Sequence, residues 1–166
     1  VQLTCELGAE MLVLGGVGAD RVQALRQLER ARTSGGGLER MARCVEAQGG
    51  DPRAVEDTNR LPAAARHHVL TAPRDGHVAA IATERVGVAG MLLGAGRQSV
   101  DDVIDHAVGI TLKVRLGDAV RAGAPLAEVQ FNDQARLERA LRELAAAFEL
   151  ADEAPPAPAL IHEVLR

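Results

Sequence analysis

Apolar residues at positions 3, 7, 11 and 14 recur at helical spacing and mark one face of a predicted helix over residues 3–14. Gly15-Gly16-Val17-Gly18 stops that run. Asp20 is placed to cap a second helix through about residue 32, with Val22, Leu25 and Leu28 inward. Ser34-Gly35-Gly36-Gly37 breaks it, and a third helix over residues 38–48 ends at Gly49-Gly50. Asp51-Pro52 opens a short helical turn, followed by a polar connector through Leu61-Pro62. Near His68 the period shortens. Val69-Leu70-Thr71-Ala72, His77-Val78-Ala79-Ala80-Ile81 and Ile110-Thr111-Leu112-Lys113-Val114 read as short strands, which places a domain boundary near residue 68. Residues 86–93 fit either a helix or an apolar connection, and Ser99-Val100-Asp101-Asp102 fits a helix start or a turn. Residues 116–129 read as strand, tight turn and strand. Asp133 then caps a last amphipathic helix to about residue 151, with Leu137, Leu141, Leu144 and Phe148 inward, before an extended Pro155-Pro156-Ala157-Pro158 tail.

Composition narrows the core and the partners. Apolar residues make up 47% of the 166 and aromatics 1%, so the core is built from Leu, Val, Ile and Ala. A net charge of −4 with both signs interspersed leaves no basic stripe for nucleic acid and no polybasic membrane patch. With Phe131 and Phe148 as the only aromatics, base stacking is also excluded as a main mode of binding. Cys5 and Cys44 lie far apart in helical segments and read as reduced thiols. No stretch approaches the roughly twenty apolar residues of a membrane span, and no signal peptide is recognisable, so a cytoplasmic protein is expected. The first residues read as mid-helix without a cap, which predicts a truncated chain.

Several residues carry candidate chemistry, each with a plainer reading beside it. Gly94-Ala95-Gly96-Arg97 has the form of an anion cradle, yet a chain reversal at positive φ explains the glycines more simply. His67-His68 would point to opposite faces of a strand, so they make a poor metal pair. His106 beside Asp105 has the composition of a general-base pair, but sequence neighbours seldom orient one another. Asp101-Asp102 and Asp105 have the composition of paired carboxylates, yet a helix start is the plainer account of acids placed there. Cys5 lacks a recognisable base and reads as a buried thiol.

Asp75-Gly76-His77-Val78, then Gly87-Val88-Ala89-Gly90-Met91-Leu92-Leu93-Gly94-Ala95-Gly96-Arg97, Ile104-Asp105-His106-Ala107-Val108-Gly109-Ile110, and Gly117-Asp118-Ala119-Val120 with Gly123-Ala124-Pro125-Leu126 occur in that order. Together they closely resemble the C-terminal domain of pyrimidine-nucleoside (thymidine) phosphorylases. Cys44-Val45-Glu46-Ala47-Gln48-Gly49-Gly50-Asp51 with Leu61-Pro62 resembles the same family just upstream, and Pro158-Ala159-Leu160-Ile161 with Glu163 resembles its chain end. The resemblance implies an α+β chain. Residues 1–68 would be a helical segment of a larger α/β domain, and 69–166 the C-terminal domain with a terminal helix. It also implies a parent enzyme of nucleoside salvage, a glycosyltransferase acting on pyrimidine nucleosides with inorganic phosphate as co-substrate, and a homodimer. The family's Ser/Thr/Gly-rich phosphate loop and the Arg, Ser and Lys residues around the base have no counterpart here, and the one lysine, Lys113, sits in a strand. No catalytic, substrate-binding or metal residue, and no cofactor, is therefore assigned to this segment, which is expected to be inactive alone. An AMP-phosphorylase-type parent shares parts of this pattern.

Gly117-Asp118-x-Val120-x-x-Gly123-x-Pro125-Leu126 also resembles the turn of biotinyl and lipoyl carrier domains, where glycines allow left-handed backbone, the Asp bonds nearby N–H groups, and Val and Leu enter the core. A carrier needs a lysine on the following hairpin. None follows through Arg166, so covalent carriage is excluded. A barrel-sandwich-hybrid-like (hammerhead) module near residues 69–131 remains expected, either as a part of an enzyme or as a self-standing interaction module.

Overall fold

A computed structural model describes residues 1–97 and 99–165. It is an α+β chain that divides into two compact units, one formed by Val1–Arg60 with the residues from Ala159 onward, the other by Leu61–Pro158.

The first unit is helical. Helices α1 (Gln2–Leu14), α2 (Arg21–Thr33) and α3 (Gly36–Ala47) are followed by two 3₁₀ turns, Pro52–Val55 and Thr58–Arg60. Asp20 caps α2 as its position implied: its carboxylate accepts the Gln23 N–H at 2.8 Å, and the Gln23 side chain reaches back to the Ala19 N–H at 2.8 Å. Asp51 likewise accepts the Arg53 N–H at 3.0 Å and holds the side chains of Arg53 and Arg60, at 2.8 Å and 2.9 Å. The face of α1 that its apolar spacing marks is not the packed one, and Val22 of α2, expected inward, is not buried. Leu3, Leu7, Met11 and Leu14 are exposed, and so is Val22 of α2. The packed face instead uses small residues: Ala9 and Ala24 are fully buried, and a Cβ placed on Gly8 would meet Leu28 Cδ1 at 3.0 Å. Small residues let two helices approach closely, and that contact wins the inward position.

The second unit holds strands β1 (Arg66–Thr71), β2 (Gly76–Ile81), β3 (Gly109–Leu112), β4 (Ala119–Val120), β5 (Pro125–Phe131) and β6 (Phe148–Ala151), with helices α4 (Thr83–Leu93) and α5 (Gln134–Ala145). They form two separate three-stranded antiparallel sheets, ordered β1-β5-β3 and β4-β2-β6, and neither is closed. Residues 86–93 are helical, and Ser99–Asp102 is a turn. The short strand β4 inside the Gly117–Gly123 turn region does not pair with β5 after it. β4 joins β2, and β5 passes into the other sheet.

The terminal helix is shorter than its periodicity implies. α5 starts from Asp133, whose carboxylate accepts the Arg136 N–H at 3.0 Å, and stops at Ala145. Phe148 lies four residues after Leu144 and so mimics the next helical core position, but Phe148-Glu149-Leu150 also alternates with a period of two. The strand reading wins because β2 offers a free edge: Ile81 pairs with Phe148 and His77 with Ala151, and the Ala82 N–H donates to Ala147 O at 2.8 Å.

Two apolar clusters result. Ala89 and Leu93 of α4 and Leu137, Ala140 and Leu144 of α5 pack with Val108, Ala127, Val129 and Phe131 of the first sheet and its approach. Ala72, Val78, Val120 and Leu126 form the second cluster, and Phe148 packs against both. Leu144 is 0% exposed, so Leu144→Ala leaves a cavity and is expected to lower stability by about 3 kcal/mol. Leu14→Ala, at an 86% exposed position, should change it by less than about 0.5 kcal/mol. Urea unfolding followed by circular dichroism checks both, and equal effects would contradict this division of core and surface.

Candidate functional site

The Gly117-Asp118 motif folds into a main-chain lock with the turn that joins β1 to β2. Gly117 and Gly123 have φ of +88° and +83°, a region that side chains disfavour. The Gly117 N–H donates to Val78 O at 2.8 Å and the Val78 N–H to Asp118 O at 3.0 Å. The Gly123 N–H donates to Ala72 O at 2.8 Å and the Ala72 N–H to Ala124 O at 2.8 Å. Two carboxylates close the turns: Asp118 accepts the Arg115 N–H at 2.8 Å and Asp75 the Ala122 N–H at 2.7 Å. Val120 and Leu126 enter the second core. The motif therefore does what its residue types imply, and every named group in it is occupied with holding the backbone.

The Gly94 segment is a helix stop. Gly94 caps α4 in left-handed backbone at φ +107°, its N–H donates to Met91 O, and the Ala95 N–H donates to Gly90 O, both at 3.0 Å. Those N–H groups close the carbonyl end of a helix, where the dipole disfavours an anion. Arg136 of α5 sits against Gly94.

Asp105 turns both oxygens to groups other than the His106 ring. Asp105 accepts the Asn132 amide at 2.7 Å through one oxygen and the Ala107 N–H at 3.0 Å through the other, while His106 is exposed. The Asn132 amide first, then the Ala107 N–H, with Arg136 nearby, hold the Asp105 carboxyl below its ordinary value. Asn132 also accepts the Ala65 N–H at 2.9 Å, and Arg66 donates to its carbonyl while lying 4.7 Å over the Phe131 ring. This tie of β1, β5 and the segment before β3 was not signalled in the sequence beyond the Asn132-Asp133 pair.

His67 and His68 lie on opposite faces of β1. His67 faces outward, with Nδ1 3.7 Å from Glu128 Oε1, and Lys113 Nζ lies 2.5 Å from Glu128 Oε2. Lys113, with His67 behind it, holds the Glu128 carboxyl below its ordinary value. Asp102 accepts the Ser99 N–H at 3.0 Å and its hydroxyl at 3.1 Å, so it shapes a turn. Cys5 is half-buried rather than buried, Cys44 is exposed, and both are free thiols. Among the described residues no group of three or more His, Cys, Asp or Glu is placed to hold a metal ion, and no helix is long and apolar enough to cross a membrane. An open cleft of about 620 Å³ between the Ser99–Val103 segment and α5 is lined by Met91, Asp101, Arg136 and Arg139. The sequence reading passed over these two arginines. Their i, i+3 spacing on one face of α5 was the available signal.

The ordered turns and their interlock define a compact α+β module with two small antiparallel sheets. Residues 77–151 match the family model described as the pyrimidine nucleoside phosphorylase C-terminal domain. The chain is 36% identical over 164 residues to a pyrimidine-nucleoside phosphorylase of Bacillus subtilis (strain 168), covering 99% of this chain and 37% of that protein. It is 34% identical over 164 residues to the pyrimidine-nucleoside phosphorylase of Staphylococcus aureus (strain USA300), with the same coverage of 99% and 37%. The chain thus matches the C-terminal portion of the pyrimidine-nucleoside phosphorylase family, and it spans little more than a third of the length of these curated relatives.

Asp105 tests the electrostatics of the turn network. Its native contacts favour the ionised form, so its stabilisation is complete above the unfolded value near about pH 4 and fades as pH falls through the lower native value. Asp105→Ala is expected to lower stability at neutral pH and to flatten the acid limb between about pH 5 and 2. Parallel pH profiles of unfolding for variant and wild type would remove this role.

Proposed function

We propose that this chain serves as the C-terminal portion of a pyrimidine-nucleoside phosphorylase, an enzyme that cleaves pyrimidine nucleosides with phosphate to free base and a pentose 1-phosphate. The similarity over 99% of the chain to the Bacillus subtilis relative carries this reading. On it, residues 1–68 complete a larger α/β domain, and 69–166 form the C-terminal domain with its terminal helix, in which the two small sheets act as a hammerhead of the barrel-sandwich kind. The parent is a cytoplasmic homodimer of nucleoside salvage. The transition state needs donors for phosphate and for the departing base, and those donors come from outside this chain. Consistent with this, Asp75, Asp105 and Asp118 are engaged in backbone turns, and Lys113 is engaged by Glu128. The chain's part is to hold the C-terminal architecture against which the reacting portion closes.

The test replaces the matched region of the Bacillus subtilis relative by this chain. The hybrid is expected to cleave uridine or thymidine only when phosphate is present, and this chain by itself to give no turnover. A folded hybrid without phosphate-dependent cleavage, or turnover by the chain alone, would overturn the reading.

A further inference from the structure

We draw no further inference here: the strongest candidate, the open cleft of about 620 Å³ between the Ser99–Val103 segment and α5, carries nothing because its lining of Asp101 and Asp102 with Arg136 and Arg139 favours neither sign of ligand and nothing in the structure shows what covers it.

Discussion

The unit from Leu61 to Pro158 depends on a main-chain exchange in which Ala72 and Val78 trade hydrogen bonds with Gly117, Asp118, Gly123 and Ala124. Its two sheets share no strand, and the exchange sits where the chain passes between them, at the β1–β2 and β4–β5 turns, while Phe148 packs against both apolar clusters. A backbone hydrogen bond contributes on the order of 1 kcal/mol net, so the four bonds are a modest part of the stability beside the burial of Leu144, Val78 and Val129. Their larger effect is geometric. They fix the two glycine turns against β2 and the β1–β2 turn, and Val120 and Leu126 beside those turns lie in the core.

What was legible in the sequence follows from how local each cause is. Asp20, Asp51 and Asp133 cap within three residues of themselves, and the structure places all three as their positions implied. The Gly117-Asp118 turn was legible for the same reason, since positive φ and an Asp acceptor are properties of a few residues. Nonlocal choices were not. Phe148 satisfies a helical and a strand period at once, and only the free edge of β2 selects between them. Nothing near Val120 says that β4 and β5 belong to different sheets. Val22 was expected inward on α2 because periodicity finds an apolar face without saying which face a neighbour will cover.

For the site, Asp105 and Lys113 are engaged in contacts within the chain. Asp105 gives both oxygens to Asn132 and Ala107, and Lys113 is held by Glu128. Asn132 joins three segments and lacked any motif to announce it. On the proposed reading these facts belong together. A portion that holds architecture needs its polar side chains satisfied internally, whereas a portion that does chemistry needs unengaged donors aimed into a cleft.

On the proposed reading, the reacting groups of the phosphorylase lie outside this chain. It is tested most directly by kcat for phosphate-dependent thymidine cleavage in the hybrid enzyme, with His67→Gln, His106→Gln, Cys5→Ser and Lys113→Gln introduced one at a time. Each variant is predicted to keep kcat within about tenfold of the parent hybrid, because loss of a group acting in the transition state typically costs on the order of 10² or more. A loss of a hundredfold or more from any one of them, in a hybrid that remains folded, would contradict the account.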